Sequence, residues 1–167
     1  MNLHRIGLAR DDGRMSDPKD ALPEMTTHTV VGRASVNGAN PWEQKFGYSR
    51  AVRAGEHVTV TGTLGPEVDG SFDTDPKRQA SRAFDIIEAA LRRLGARLED
   101  VVLVRGYIVG DDRFDAVLMA VGEVFAERFE DAPVHPCLTQ VGVARLAGDG
   151  SVVELEAIAI GVDRRTT

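Results

Sequence analysis

Residues 75 to 109 read DPKRQASRAFDIIEAALRRLGARLEDVVLVRGYIV, and this stretch predicts a helix that leads into a buried strand. Asp75 is a suitable N-cap, and Pro76 suits the first helical turn because its φ angle is already fixed near the helical value. One apolar stripe then recurs every three or four residues, formed by Ala80, Ala83, Phe84, Ile87, Leu91 and Leu94. Gly95 can end the helix, and residues 101–109 are apolar on both faces, which is typical of a strand in a covered sheet.

The segments on either side of this unit extend the same pattern. Upstream, residues 48–62 predict two strands joined by a short turn, and a β-leaning stretch over residues 27–36 is an optional leading strand. Downstream, Asp111 or Asp112 caps a second helix that stops before Pro133. Its apolar stripe consists of Phe114, Val117, Leu118, Val121, Val124, Phe125 and Phe129. Two more strands follow, at residues 137–143 and 152–160.

The order β-β-α-β-α-β-β predicts an α+β fold in which one mixed sheet carries both helices on one face. Because each helix has a single apolar stripe, neither helix can cover both sides of the sheet. The second face of the sheet therefore needs another cover, and oligomerisation would supply it.

Length and composition indicate one globular domain with two tails. The chain has 167 residues, 43% hydrophobic and 28% charged, which is close to the average of folded domains. We expect a mobile leader over residues 1–27, the domain over residues 28–162 and a tail over residues 163–167. No apolar run reaches the roughly 18 residues that a membrane span needs, and the N-terminus lacks the apolar core of a secretory signal. These features favour a cytoplasmic protein without a membrane partner.

The sequence lacks the motifs of several common nucleotide, metal and nucleophile sites. The chain contains no Walker loop, no paired-glycine dinucleotide motif, no His-Glu-x-x-His helix and no Gly-x-Ser-x-Gly elbow. Its four histidines are far apart and Cys137 is its one cysteine, so we expect neither a metal site nor an internal disulfide. A formal charge of −6 disfavours nucleic acid as a partner.

Four segments resemble the Rid family, the reactive intermediate deaminases that are also called YjgF-like proteins. These are GYSRAVRAGEHVTVTG (47–62), RAFDIIEAALRRLGARLEDVVLVRGYIV (82–109), HPCLTQVGV (135–143) and VVELEAIA (152–159). They occur in the order of the family and together span residues 47–162. The resemblance implies a chorismate-mutase-like α+β fold, assembled as a barrel-like homotrimer with ligand clefts between the subunits.

The resemblance also implies an activity. Well-known members hydrolyse enamines and imines derived from amino acids to keto acids and ammonia, without a metal or an organic cofactor. Older family names, such as endoribonuclease, would imply contact with RNA, which the acidic composition disfavours.

Three residues match the family's site directly. Tyr48 corresponds to the tyrosine that closes the cleft, and Gly62 corresponds to the glycine whose backbone N–H faces the ligand. Glu154 corresponds to the carboxylate that orders the attacking water. The resemblance therefore implies that Glu154 and Tyr48 are catalytic and that Gly62 binds substrate.

The remaining site positions depart from the family pattern. Leu138 replaces the arginine that grips the substrate carboxylate, and its loss removes on the order of 2–5 kcal/mol of anion recognition. Gln140 occupies the family's next cleft position, and Gly122 stands where an asparagine of the second helix would be. His135, beside Pro136, is a candidate replacement acid or base.

These departures leave three functional hypotheses. The first is a trimer that binds a small, uncharged metabolite in its clefts and hydrolyses or deaminates it without a metal. The second is a non-catalytic ligand-binding or regulatory protein on the same scaffold. The third, endoribonuclease activity, is disfavoured by the negative charge.

Overall fold

The computed structural model describes residues 21–38 and 40–161, and its elements follow the predicted order over most of that length. The strands are β1 (Thr26–Val30), β2 (Arg33–Asn37), β3 (Ala51–Ala54), β4 (His57–Leu64), β5 (Val101–Val109), β6 (Cys137–Val143) and β7 (Val153–Ile160). The helices are α1 (Pro41–Phe46), α2 (Pro76–Arg93) and α3 (Phe114–Arg128), with a 3-10 turn at Leu98–Asp100.

All seven strands form one sheet in the order β1-β2-β3-β4-β7-β5-β6. Every neighbouring pair is antiparallel except β5 and β6, which run parallel because α3 carries the chain back between them. The mixed sheet and the α+β class are therefore confirmed. The last strand of the chain, β7, lies near the centre of the sheet, and β6 lies at its edge.

The helix predicted from residues 75–109 forms with its expected ends. The Asp75 side chain accepts a hydrogen bond from the Lys77 backbone N–H at 2.9 Å, and Gly95 follows the helix at φ 79°. Its apolar stripe is buried against the sheet, where Phe84 also meets Phe129 edge to face at 6.0 Å between ring centroids.

The face of the sheet away from α2 and α3 is only partly buried. On β7 the buried residues Leu155, Ala157 and Ala159 alternate with half-buried or exposed ones, and β5 alternates in the same way. We call this second surface the open face. Its apolar members include Val52, Val141 and Ile160, each about 40% exposed. No helix of the described residues is long and apolar enough to cross a membrane.

Three details differ from the sequence expectation. Residues 27–36 form two strands instead of one, because Gly32 at φ 75° lets the chain reverse in a two-residue turn. The short helix α1 was not predicted, since six residues show no helical period. Neither Asp111 nor Asp112 is the N-cap of α3. Arg113 holds that position, and Asp111 instead accepts its backbone N–H at 2.8 Å.

The described part of the chain begins inside the predicted leader. Met25 is 95% buried, Leu22 packs against the core, and the Ala21 carbonyl accepts a hydrogen bond from Arg82. Strand β1 starts at Thr26, close to the predicted domain start at residue 28. The rest of the predicted leader, residues 1–20, and the tail at 163–167 lie outside the described residues, so the domain limits stay a prediction.

Candidate functional site

Glu154 lies on the open face of β7, beside a gap that a glycine leaves in β4. Its chain neighbours Val153 and Leu155 point the other way and are completely buried. A Cβ at Gly62 would collide with Oε1 of Glu154 and lie 3.0 Å from its Cδ. The Glu154 carboxyl therefore fills the space of the missing side chain, and the structure brings these two predicted site residues together.

Strand β4 has an extra residue next to this carboxyl. Val60 pairs with Ala157 of β7, whereas Thr63 pairs with Leu155, so two residues of β4 lie opposite one residue of β7. Gly62 belongs to this β-bulge, and a bulge removes its residues from regular ladder pairing. Bulges occur preferentially beside functional sites, where they redirect backbone and side-chain groups.

Burial raises the pKa of Glu154 above its ordinary value. The charge of Arg50 opposes this rise, and the charge of Glu156 adds to it. A carboxyl with a raised pKa binds a proton more strongly than a solvated one, which suits a group that both accepts and returns a proton.

Two further residues of the open face lie beside Glu154 and Glu156, and the sequence did not indicate a role for either. Tyr107 pairs directly with Glu154 across β5 and β7, and Arg105 pairs with Glu156. Arg105 Nη1 lies 2.5 Å from Glu156 Oε1, so this arginine is paired with a carboxylate of its own chain. Burial, followed by the charge of Glu156, raises the pKa of Tyr107. The open face thus carries a mixed polar cluster around Glu154.

A buried ion pair holds the bulge of β4 from the side of β3, and the sequence did not predict it. Glu43 of α1 is 2% exposed, and Arg50, just before β3, is 8% exposed. Arg50 Nη2 lies 2.9 Å from Glu43 Oε1, and Arg50 Nη1 donates to the Gly62 carbonyl at 2.9 Å. The one available signal was an acid and an arginine seven residues apart in PWEQKFGYSR, a spacing that no regular element places together.

The structure holds Tyr48 at the junction between α1 and β3. Its backbone N–H donates to the Glu43 carbonyl at 3.1 Å, and its carbonyl accepts from the Asn37 side chain at 3.1 Å. The tyrosine side chain is 36% exposed. His135 is exposed in the segment before β6, followed by the buried Pro136.

Leu138 lies on the opposite side of the sheet from Glu154. It pairs with Val104 of β5, which in turn pairs with Ala157 of β7, and both partners are buried under the helices. Directly paired residues share a face of a sheet, so Leu138 faces the helices, where it packs against the core. Within one chain the two residues cannot contact the same small ligand.

Gln140 and Gly122 accompany Leu138 on the helix side. Gln140 pairs with Gly106, and its Cγ lies 3.5 Å from the place that a Gly106 Cβ would take, close to Val121 of α3. The Oε1 atom of Gln140 is buried and has no hydrogen-bond partner within residues 21–38 and 40–161. Gly122 of α3 has open space where its Cβ would be. This region combines apolar walls with one unpaired acceptor.

The predicted residues therefore form two half-sites. The first half-site, Gly62 and Glu154, lies on the open face of the central strands. The second half-site consists of Leu138 and Gln140 on the helix side of the edge strand β6, and Gly122 lies on α3, which packs on the same side of the sheet. Because the sheet separates them, a single cleft that uses both must take one half-site from each of two chains.

A separate groove lies away from both half-sites. It has a volume of about 300 Å³ and lies between residues 22–25 and the outer side of α2, with Glu88 and Arg92 in its wall. It contains none of the predicted site residues. Within the described ranges no group of three or more His, Cys, Asp or Glu side chains is placed to hold a metal ion.

Comparisons with known proteins support the sequence resemblance. The family model described as Endoribonuclease L-PSP matches residues 40–161. The chain is 32% identical over 102 residues to the RutC family protein YjgH of Escherichia coli strain K12, covering 60% of this chain and 74% of that protein. It is 33% identical over 115 residues to a 2-iminobutanoate/2-iminopropanoate deaminase of Dermatophagoides farinae, covering 68% of this chain and 84% of that protein.

Solved structures give the same result for the fold. Rv2704 of Mycobacterium tuberculosis, a member of the YjgF/YER057c/UK114 family, superposes with a TM-score of 0.67 at 37% sequence identity. That match covers 77% of this chain and 99% of the mycobacterial chain.

Proposed function

The chain belongs to the endoribonuclease L-PSP family, which is the Rid family of YjgF-like proteins, and we propose that it binds a small neutral imine or enamine and hydrolyses it. The proposed site is a cleft between two copies in a homotrimer. One copy supplies Glu154, Gly62 and Tyr48, and the other supplies Leu138, Gln140 and Gly122. The observation that carries this proposal is the separation of the two half-sites by the sheet.

The first half-site suits hydrolysis of a C=N bond. Water adds to the imine carbon while the Glu154 carboxylate accepts one of its protons. Glu154 passes that proton to the nitrogen, which gives a carbinolamine, and then transfers the carbinolamine hydroxyl proton to the amino group. The C–N bond breaks, and a carbonyl compound and ammonia leave. An enamine first tautomerises to the imine and then follows the same route. The raised pKa of Glu154 supports this role, because proton transfer is most effective when the pKa of the group approaches the working pH. The Gly62 backbone N–H and the Tyr48 hydroxyl are the proposed donors to the substrate.

The second half-site supports a neutral ligand. Leu138 offers no charge to a carboxylate, and an unpaired carboxylate against an apolar wall is costly. The buried Oε1 of Gln140 has no partner among the residues that the structure describes, and an unsatisfied buried acceptor costs about 1–3 kcal/mol until a donor reaches it. A neutral ligand whose amino N–H reaches this acceptor would satisfy it.

Ammonia release from two freshly generated enamines tests the proposal. These are 2-aminoacrylate, which is an anion, and its neutral methyl ester. We expect wild type to prefer the ester and Leu138→Arg to reverse the preference, with a gain of about tenfold or more in kcat/KM for the acid. Glu154→Gln should abolish both reactions. Wild-type turnover of the acid at the rate of arginine-bearing relatives would contradict our assignment of Leu138, and unchanged turnover in Glu154→Gln would contradict the catalytic role.

The absence of the arginine also favours a second candidate, a ligand-binding trimer without catalysis. In that case neither enamine is turned over by wild type, yet a neutral amide or ester ligand raises the melting temperature. Lack of turnover, together with a higher melting temperature in calorimetric scans with methyl lactate, a stable neutral analogue of the ester, supports this candidate over the first. Turnover of either enamine contradicts it.

A further inference from the structure

We propose that Arg50 is a positioning residue for Glu154, and that the buried Glu43 carboxylate holds Arg50 in place for that purpose. The inference rests on the proposed function, because it assigns Arg50 to the reaction that Glu154 performs. Neither Glu43 nor Arg50 touches the proposed substrate. They act through the bulge of β4.

The first step is the fixation of Glu43. The Asn40 side chain caps α1 by accepting the Trp42 backbone N–H at 3.0 Å, which sets the start of this short helix. Glu43 then points inward, and its Oε2 accepts the Gly38 backbone N–H at 2.7 Å. A carboxylate that is 98% buried needs a cation beside it, since an unpaired buried charge is strongly unfavourable.

The second step is the hydrogen bonding of Arg50, whose N–H groups point to two partners, Glu43 and the bulge. Its Nε and Nη2 face Glu43 Oε1 at 3.1 and 2.9 Å. Its Nη1 reaches the bulge instead, donating to the Gly62 carbonyl at 2.9 Å and to Thr63 Oγ1 at 3.0 Å. Thr63 Oγ1 in turn donates to the Thr61 carbonyl at 2.7 Å. The planar guanidinium thus ties three consecutive residues of the bulge to α1.

The third step connects the bulge to Glu154. The carboxyl of Glu154 occupies the space that Gly62 leaves, so a displacement of Gly62 displaces the carboxyl as well. A small misplacement of a reacting group is enough to lower a rate on the order of 100-fold. The Gly62 N–H that we assign to the substrate lies in the same peptide unit as the Thr61 carbonyl. That carbonyl accepts a hydrogen bond from Thr63 Oγ1, which Arg50 Nη1 holds in turn, so Arg50 orients the Gly62 N–H through Thr63.

The charge of Arg50 also supports the proposed role of Glu154. The groups that face Glu154 are Glu156 on its own strand, Tyr107 and Arg105 on β5, and Arg50 beyond the bulge. Arg50 lowers the pKa of Glu154, whereas burial and Glu156 raise it. Arg50 therefore keeps a half-buried carboxylate available as a proton acceptor.

A purely structural role is the alternative, and stability alone does not explain the arrangement. An apolar pair of similar volume usually replaces a buried ion pair without loss of stability. Such a pair would not bind the Gly62 carbonyl. The contact that distinguishes positioning from packing is therefore the bond from Nη1 to the bulge.

Carbon-detected NMR titration of the glutamate carboxyls tests the inference on the full chain. The variants are the double exchange Glu43→Gln with Arg50→Met, which leaves no unpaired buried charge, and Arg50→Lys, which keeps the charge but loses the planar fork. We expect the pKa of Glu154 to rise in the double variant and to stay close to wild type in Arg50→Lys. We expect the Gly62 amide resonance to shift in both. The double exchange Asp111→Asn with Arg113→Met, at an exposed pair, is the matched control.

An unchanged Glu154 pKa together with an unchanged Gly62 resonance in the double variant overturns the inference. The titration needs no turnover, so its result is independent of whether either enamine is a substrate. Where turnover is measured, the acidic limb of the pH profile should move to higher pH in the double variant, and kcat should fall about 10- to 100-fold with little change in KM.

Discussion

The Glu154 carboxyl destabilises the folded chain when it is ionised. Because burial raises its pKa above the ordinary value of 4.5, the folded chain binds this proton more tightly than the unfolded chain does. The free energy of unfolding therefore falls as pH rises from that ordinary value through the pKa of the folded carboxyl. A residue kept at such a cost is typical of a functional site.

The pH dependence of Glu154→Gln follows from this linkage. We expect the variant to melt at a higher temperature than wild type at about pH 7.5, and the difference to shrink towards zero at about pH 4, where both side chains are neutral. Scanning calorimetry at the two pH values measures it. Glu130→Gln, at an exposed glutamate, is the control and should show no such difference. A variant that melts below wild type at neutral pH would mean that the ionised carboxylate stabilises the fold.

At this scale the sequence identified candidates but could not connect them. Glu154 alternates with apolar neighbours as any strand glutamate does, and the family resemblance selected it. Its contact with Gly62 depends on a bulge, and a lone glycine in a strand pattern does not decide between a bulge and the end of the strand. The pairing of Glu43 with Arg50 depends on a six-residue helix that shows no period. Such contacts are decided by tertiary packing, and residue patterns do not contain them.

Among the elements, α2 is joined to the sheet by one buried amide. Gln79 Nε2 donates to the carbonyls of Asp73 and Gly150 at 2.7 and 3.1 Å, and its Oε1 accepts the Val152 backbone N–H at 2.9 Å. Gln79 is 1% exposed, so these three backbone groups have no ready access to water. A single side chain thus connects the helix, the loop before it and the turn into β7.

Replacing Gln79 tests how much this connection contributes. We expect Gln79→Met, which keeps most of the volume, to destabilise the chain by about 2–4 kcal/mol because three buried backbone groups lose their partner. Urea denaturation followed by circular dichroism measures the change. Arg92→Met on the exposed side of the same helix is the control, with an expected change within about 0.5 kcal/mol. A loss for Gln79→Met no larger than for the control would show that water replaces the amide.

The elements themselves were largely predictable, and the errors share a physical cause. The long helix and the strands β5 to β7 have strong periodic signals and clear end signals, and they lie where the sequence places them. The sequence predicts one strand where the structure has the first hairpin, because a single glycine carries the turn. The N-cap of α3 was misplaced because Asp111 binds a backbone N–H outside the helix.

For the whole molecule, the open face needs a cover, and the homotrimer that the family resemblance implies would supply one. Val52 and Ile160 expose about 40% of their side chains on a sheet that α2 and α3 leave uncovered. We expect light scattering of the wild type to give three times the chain mass of 18.1 kDa. Val52→Lys should yield monomers, because burying three unpaired ammonium groups in one assembly is unfavourable. Met119→Lys, on the exposed side of α3, is the control and should leave the mass unchanged. Wild-type monomers, or trimers of Val52→Lys, would contradict the proposed assembly.

The division of the predicted residues between the two sides of the sheet has a genetic consequence. If each cleft draws on two copies, a chain damaged at Glu154 and a chain damaged at Gln140 can repair each other. Co-expressing Glu154→Gln with Gln140→Ala would give about one intact cleft in four when the chains mix at random in a cyclic trimer. Partial complementation between two inactive alleles would then arise from geometry alone, whereas two lesions on the same side of the sheet would never complement.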